Sequence, residues 1–153
     1  MHIYNVSDPD LPVRTGSFVH AMNCDPVVAD DRYAYVTLRS GTACRGGNIN
    51  QLDVVDIANI SAPTLVKTYP LGNPHGLSKE GSLLFVCDGT AGLKVYNAAD
   101  AKNLSLISQY DIDTYDVIAD NGRALVTGKD GLYQFSYTSA GNISMISKIP
   151  VNR

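Results

Sequence analysis

The chain has 153 residues, 18% charged and 44% hydrophobic, with a formal net charge of −3. That length suits one domain with a core of its own, and the hydrophobic share excludes a disordered tail. The acidic balance, without three consecutive Lys or Arg anywhere, argues against nucleic-acid binding, and no segment approaches 18 apolar residues, so no membrane span is expected.

The N-terminus, Met1 to Asn5, has no basic stretch followed by an apolar run, so it is not read as a secretory signal. Either the chain is cytosolic or a signal lies upstream. The first patterned segment, His2 to Phe18 (HIYNVSDPDLPVRTGSF), is the shortest statement of a motif that returns three times. It returns as Gln51–Tyr69 (QLDVVDIANISAPTLVKTY), Gly92–Tyr110 (GLKVYNAADAKNLSLISQY) and Gly131–Ile149 (GLYQFSYTSAGNISMISKI). With Asn5, Asp56, Asn97 and Ser136 as equivalents, the steps are 51, 41 and 39 residues. The intervening halves also match. Asp25-Pro-Val-Val-Ala-Asp30 with Tyr33-Ala-Tyr-Val36 answers His75-Gly-Leu-Ser-Lys-Glu80 with Leu83-Leu-Phe-Val86, and Asp116-Val-Ile-Ala-Asp120 with Ala124-Leu-Val126 answers both. The unit is therefore about 40 residues, and the long step contains one insertion, Arg39 to Gln51.

Each unit contains four runs of strand length. In the middle unit they are Gly76–Lys79, Leu83–Cys87, Leu93–Asn97 and Leu104–Tyr110, separated by turn residues such as Lys79-Glu-Gly-Ser82 and Asp88-Gly89. No window holds a helical stripe. Leu83–Cys87 is apolar on both faces, whereas Thr64–Tyr69 and Leu106–Tyr110 mix apolar and polar residues. A strand apolar on both faces is covered from both sides, and a mixed one lies nearer an edge. The expected fold is all-β, with four-stranded antiparallel blades of the β-propeller type.

Leu52-Asp-Val-Val-Asp56 resembles the strand that names the LVIVD repeat family; Leu93-Lys-Val-Tyr-Asn97 and Leu132-Tyr-Gln-Phe-Ser136 are weaker copies. The turn leading to a proline is kept in Val6–Pro12 and Ile57–Pro63 and lost in the last two units. The resemblance spans essentially the whole chain. It implies a β-propeller and a bacterial cell-surface, periplasmic or lipoprotein setting, and it assigns no activity.

In propeller order the chain starts at a third strand and ends after an outermost one. That gives a half blade (1–18) and three blades (19–70, 71–110 and 111–153), about 3.5 blades in a partial, open propeller. The expected reading is a single repeat domain forming the C-terminal part of a longer protein. Its partners are then the remaining blades, or a second copy that completes the ring as a homodimer. Location is expected outside the cytoplasm, with a lipid anchor in a preceding segment as one route.

Residues before the innermost strands are read as one column, Asp25, His75 and Asp116, with Arg39, Arg45 and Asp88 on partner loops. Such a ring can bind a metal or supply a general acid or base. The spacings are repeat spacings, however, and Asp before a strand commonly satisfies turn donors. No metal or other cofactor is therefore assigned. The insertion departs from the repeat and holds two Arg, three Gly and two Asn, which suit anionic or polar ligands. It lacks the Gly-Lys-Ser/Thr ending and following helix of a phosphate loop. Cys44 in the insertion and Cys24 in a loop on the same face are candidates for a disulfide, and Cys87 reads as a small apolar residue. Asn-x-Ser triplets at Asn5, Asn59, Asn103 and Asn142 read as turn chemistry rather than glycan acceptors.

The functional expectation is a non-catalytic module that holds a protein or glycan partner through Arg39, Arg45, Asn48, His75 and Asp116. The alternative is a propeller hydrolase or lyase using His75, Asp25 and Asp116.

Overall fold

Runs rich in Val, Leu, Ile, Tyr and Thr alternate with Asp-, Asn- and Gly-bearing turns, and each run becomes a strand. A computed structural model describes residues 1–19, 26–41 and 49–151. Its strands are β1 (His2–Asn5), β2 (Val13–Ser17), β3 (Val27–Ala29), β4 (Tyr33–Leu38), β5 (Gln51–Asp56), β6 (Thr64–Pro70), β7 (Leu77–Glu80), β8 (Leu83–Cys87), β9 (Leu93–Asn97), β10 (Ser105–Tyr110), β11 (Thr114–Asp120), β12 (Arg123–Gly128), β13 (Gly131–Tyr137) and β14 (Ile143–Pro150). Among the described residues there is no helix. Strands β1 and β2 form a two-stranded sheet. Three four-stranded antiparallel sheets follow in chain order, β3–β6, β7–β10 and β11–β14. They are stacked meanders in an open, propeller-like arrangement, and none closes into a barrel. We call the two-stranded sheet the half blade and the others the first, second and third blades.

The register repeats from blade to blade. Leu52, Leu93 and Leu132 lie opposite Tyr69, Tyr110 and Ile149 on the outermost strands. On their other side they lie opposite Thr37, Cys87 and Thr127. Each outermost strand also carries a one-residue bulge at the matching place, leaving Thr15, Val66, Ile107 and Ile146 without an opposite residue. These four fall at the 51-, 41- and 39-residue steps of the sequence motif. The motif residue also acts locally. Asn5, Asp56 and Asn97 each accept a bond on their side-chain oxygen from the backbone N–H two residues on, at Ser7, Ala58 and Ala99, all at 2.9 Å. A short polar side chain closing the turn on its own backbone is why Asn and Asp recur there.

Side chains alternate between the two faces of a strand, and here both faces are covered. On β8, Leu84 and Val86 point to the first blade and join Tyr35, Leu52 and Val54. Leu83, Phe85 and Cys87 point to the third blade and join Val117, Val126, Tyr133 and Phe135. All five residues of β8 are buried. Polar links stitch the same seams. Thr37 Oγ1 donates to the His75 carbonyl at 2.6 Å. Gly76 N donates to the Tyr115 carbonyl at 2.9 Å. The Lys79 ammonium meets Asp30 at 3.0 Å. Close approach also demands glycine: at Gly92 (φ +90°) a Cβ would lie 2.4 Å from the Tyr110 carbonyl oxygen.

Phe85→Ala removes a ring shared by the second-third seam and should cost about 3–5 kcal/mol, read as a lower urea midpoint at unchanged m-value. A loss below about 1 kcal/mol would mean that this seam is not packed as described.

Candidate functional site

The loop between β6 and β7 is fixed from below by one carboxylate. Asp88, fully buried at the end of β8, accepts from Gly72 N at 3.0 Å and Asn73 N at 2.7 Å. Its other oxygen receives the Lys94 ammonium at 2.6 Å. A buried charge is tolerated when it is paired and its lone pairs are taken up, and Asp88 meets both conditions. It therefore serves as the anchor that sets the loop carrying Asn73 and His75.

His75 is held at the seam between the first and second blades. Its backbone N donates to the Cys87 carbonyl at 2.7 Å, and its carbonyl accepts from Thr37. The half-buried ring faces a cation: Arg39 Nη1 lies 2.8 Å from Nδ1 and 2.9 Å from Nε2. Asn73 Nδ2 lies 3.2 Å from Nε2, and the Tyr115 ring stands 5.3 Å away, centroid to centroid. A neutral imidazole accepts at only one ring nitrogen, so its tautomer decides which of these donors it takes. Burial and then the Arg39 guanidinium push its pKa below the ordinary value, against the opposing pull of Asp113 and Asp88. Arg39 opens the insertion, whose base is clamped by Asn50 Oδ1 accepting from Ser40 N at 2.9 Å and Ser40 Oγ at 3.1 Å.

The structure therefore brings Arg39 and His75 together. Asp116 sits on the next inner strand, where its Oδ1 accepts from its neighbour Val117 N at 3.0 Å. A Cβ on Gly76 would lie 1.8 Å from that oxygen, so glycine makes room for the carboxylate. The expected column is shifted here by one residue. Counted back from the β11–β12 turn, Asp116 stands where Gly76 stands before β7, which makes Tyr115 the mate of His75. Asp25, Arg45, Asn48 and the pair Cys24 and Cys44 lie outside the described residues. Cys87 is buried, and burial raises its thiol pKa to about 12, so it behaves as an apolar side chain. Among the described residues no three His, Cys, Asp or Glu side chains gather as metal ligands.

Sequence reasoning missed Tyr115, and it missed two cavities at the opposite end of the blades. One, of about 410 Å³, opens between the first and second blades beside Asp30, Tyr35 and Lys79. The other, of about 330 Å³, opens between the second and third blades beside Glu80, Asn121 and Tyr137. They occupy repeat-related places, and the lone Lys on an inner strand is the one sequence sign of either. No protein-family model and no curated protein matches the chain.

Asp88→Ala leaves Lys94 unpaired and two N–H groups without acceptors, and should cost about 3 kcal/mol or more in chemical unfolding; a cost under 1 kcal/mol would contradict the anchoring role. His75 also gives the protein a pH dependence. Its folded pKa is lowered, so below the ordinary imidazole pKa of about 6.5 the unfolded chain binds more protons than the native one. Stability should fall from pH 7.5 to 5.5 in urea titrations, and His75→Gln should flatten that slope; an equal slope in both proteins would refute the assignment.

Proposed function

We propose that the chain is a non-catalytic binding or scaffold module that holds a protein or glycan partner on the loop face around Arg39 and His75. The observation that carries this reading is the Arg39–His75 contact at the base of the insertion. A guanidinium propped against a neutral ring keeps donors in its fixed fork for an incoming acid, so the chemistry favoured is a carboxylate or sulfate group on the partner. General-base catalysis by His75 would call for a carboxylate orienting the imidazole and a nucleophile in reach. Its nearest partners are instead cationic and amide donors, and the Asp88 oxygens are taken up by Lys94 and the loop backbone. The hydrolase or lyase alternative through His75, Asp25 and Asp116 thus has less support. Placement in a bacterial envelope, outside the cytoplasm, rests on the LVIVD-like strand Leu52–Asp56.

The test is binding to an immobilised array of acidic and neutral oligosaccharides and acidic peptides. Saturable binding to an acidic member, weakened about tenfold or more in a folded Arg39→Ala variant, is the expected result. Equal binding by wild type and variant would remove Arg39 from the interface, and turnover of any probe would favour the enzymatic reading.

A further inference from the structure

The two cavities at the end of the blades away from Arg39 and His75 flank one turn. The first, of about 410 Å³, lies between the first and second blades, and the second, of about 330 Å³, between the second and third. Both fall within the roughly 300–1,000 Å³ of small-molecule sites. Gly81 and Ser82, in the turn joining β7 to β8, line both clefts, so that turn is the ridge between them. The ridge is low. Gly81 has φ +53°, and a Cβ built on it would meet no atom within 4 Å. Ser82 is exposed beside it. The blades repeat and the clefts repeat with them, so a chain laid across the ridge meets two related sites in succession.

In the first cleft the cations are already paired. The Lys79 ammonium, on a side chain only 10% exposed, lies 3.0 Å from Asp30 Oδ2 and donates to the Gly81 carbonyl at 2.7 Å, which leaves one of its N–H groups uncommitted. Asp30 Oδ1 accepts from Arg32 N at 3.0 Å and Tyr33 N at 2.8 Å. The Arg32 guanidinium is held by Asp56 at 3.1 Å. An anionic ligand thus finds each of these cations facing a carboxylate, and a cationic ligand would have to displace Lys79. A hydroxyl suits the wall better, because one oxygen both donates and accepts: it takes the remaining Lys79 N–H and gives its own hydrogen to Asp30 Oδ2. The apolar part of this wall is Ala98, Ala99 and Ala101. Three methyl groups are too shallow to anchor the large side chains that dominate peptide recognition, but they can lie under the C–H face of a sugar ring. In the second cleft Glu80 Oε1 accepts from Asn121 N at 2.8 Å, and Ser82 and Ser139 add hydroxyls. Tyr137 lines this cleft with its ring 4.7 Å from that of Phe85, and its hydroxyl is buried without a hydrogen-bond partner among the described residues.

We propose that the two clefts form one binding surface for a linear, neutral oligosaccharide. One sugar sits between the first and second blades, the chain crosses the Gly81-Ser82 ridge, and a later sugar sits between the second and third blades. The neutral, hydroxyl-rich chemistry follows from the paired charges and small side chains of the walls, and the linear form follows from the repetition of the clefts. The surface is separate from the loop face around Arg39 and His75, and it stands or falls apart from the reading given for that face.

The experiment is an amide chemical-shift titration of the 153-residue chain with malto-, cello- and mannooligosaccharides, each from monosaccharide to hexasaccharide. The expected result is saturable shifts with one of these series at Gly81, Ser82, Ala99 and Asn121, with affinity rising about tenfold or more once the ligand is long enough to reach both clefts. Ser82→Trp, at an exposed position that lines both clefts, should abolish that binding. Ala99→Trp and Ser139→Trp, each at an exposed turn position lining one cleft, should return the longer ligands to the affinity of the shorter ones, and they carry the test should Ser82→Trp fail to fold. Arg39→Ala should leave the shifts unchanged. No saturable shift with any series, affinity indifferent to length, binding that persists in the tryptophan variants, or shifts centred on His75 and lost in Arg39→Ala would each overturn the proposal. Tighter binding at the same clefts by an extended neutral peptide of alanine and serine would overturn it as well.

Discussion

The structure depends on the burial of one strand from two sides. Strand β8 sends Leu84 and Val86 toward the first blade and Phe85 and Cys87 toward the third, and each set joins a core shared with that blade. A four-stranded sheet this thin encloses no core by itself. The core exists in the seams, so a blade is stable because of its neighbours, as in other stacked repeats. The polar links at Thr37–His75, Gly76–Tyr115 and Lys79–Asp30 cross the same seams, fixing the angle at which the apolar faces meet.

That constraint decides where chemistry can sit. Strands buried on both faces leave their ends as the accessible surface, and loops from adjacent blades meet there. Arg39 comes from the first blade, and His75 is carried by the second. The cavities at the opposite end are seam features too, the first between Asp30 and Lys79 on neighbouring blades. Buried Asp88 lies beneath this arrangement, converting a glycine-bearing loop into a fixed platform. A rigid scaffold presenting polar loop ends is what the binding reading requires.

Much of this organisation was legible in the sequence, because repetition exposes it. The recurrence of Asn5, Asp56 and Asn97 marks the turns those residues close, and the two-sided apolar character of Leu83–Cys87 marks the innermost seam. What was not legible has a local physical cause. Counted back from the β11–β12 turn, Asp116 stands where Gly76 stands before β7, so the column with His75 dissolves and Tyr115 takes the place beside the ring. The bulges at Val66, Ile107 and Ile146 leave no composition signal, since a bulged Ile and a paired Ile read alike. The pairing of Arg39 with His75 depends on two blades meeting, which spacing along the chain does not encode.

The central claim, that a strand buried in two seams holds the fold together, is tested most directly by native-state amide hydrogen exchange resolved by residue. Strand β8 and its ladder partner β9 should exchange slowest, with free energies approaching that of global unfolding, while the outermost strands β10 and β14 open at much lower cost. Uniform protection across each four-stranded sheet, or a β8 that exchanges as readily as β14, would show that the sheets are stable one by one and would contradict the claim.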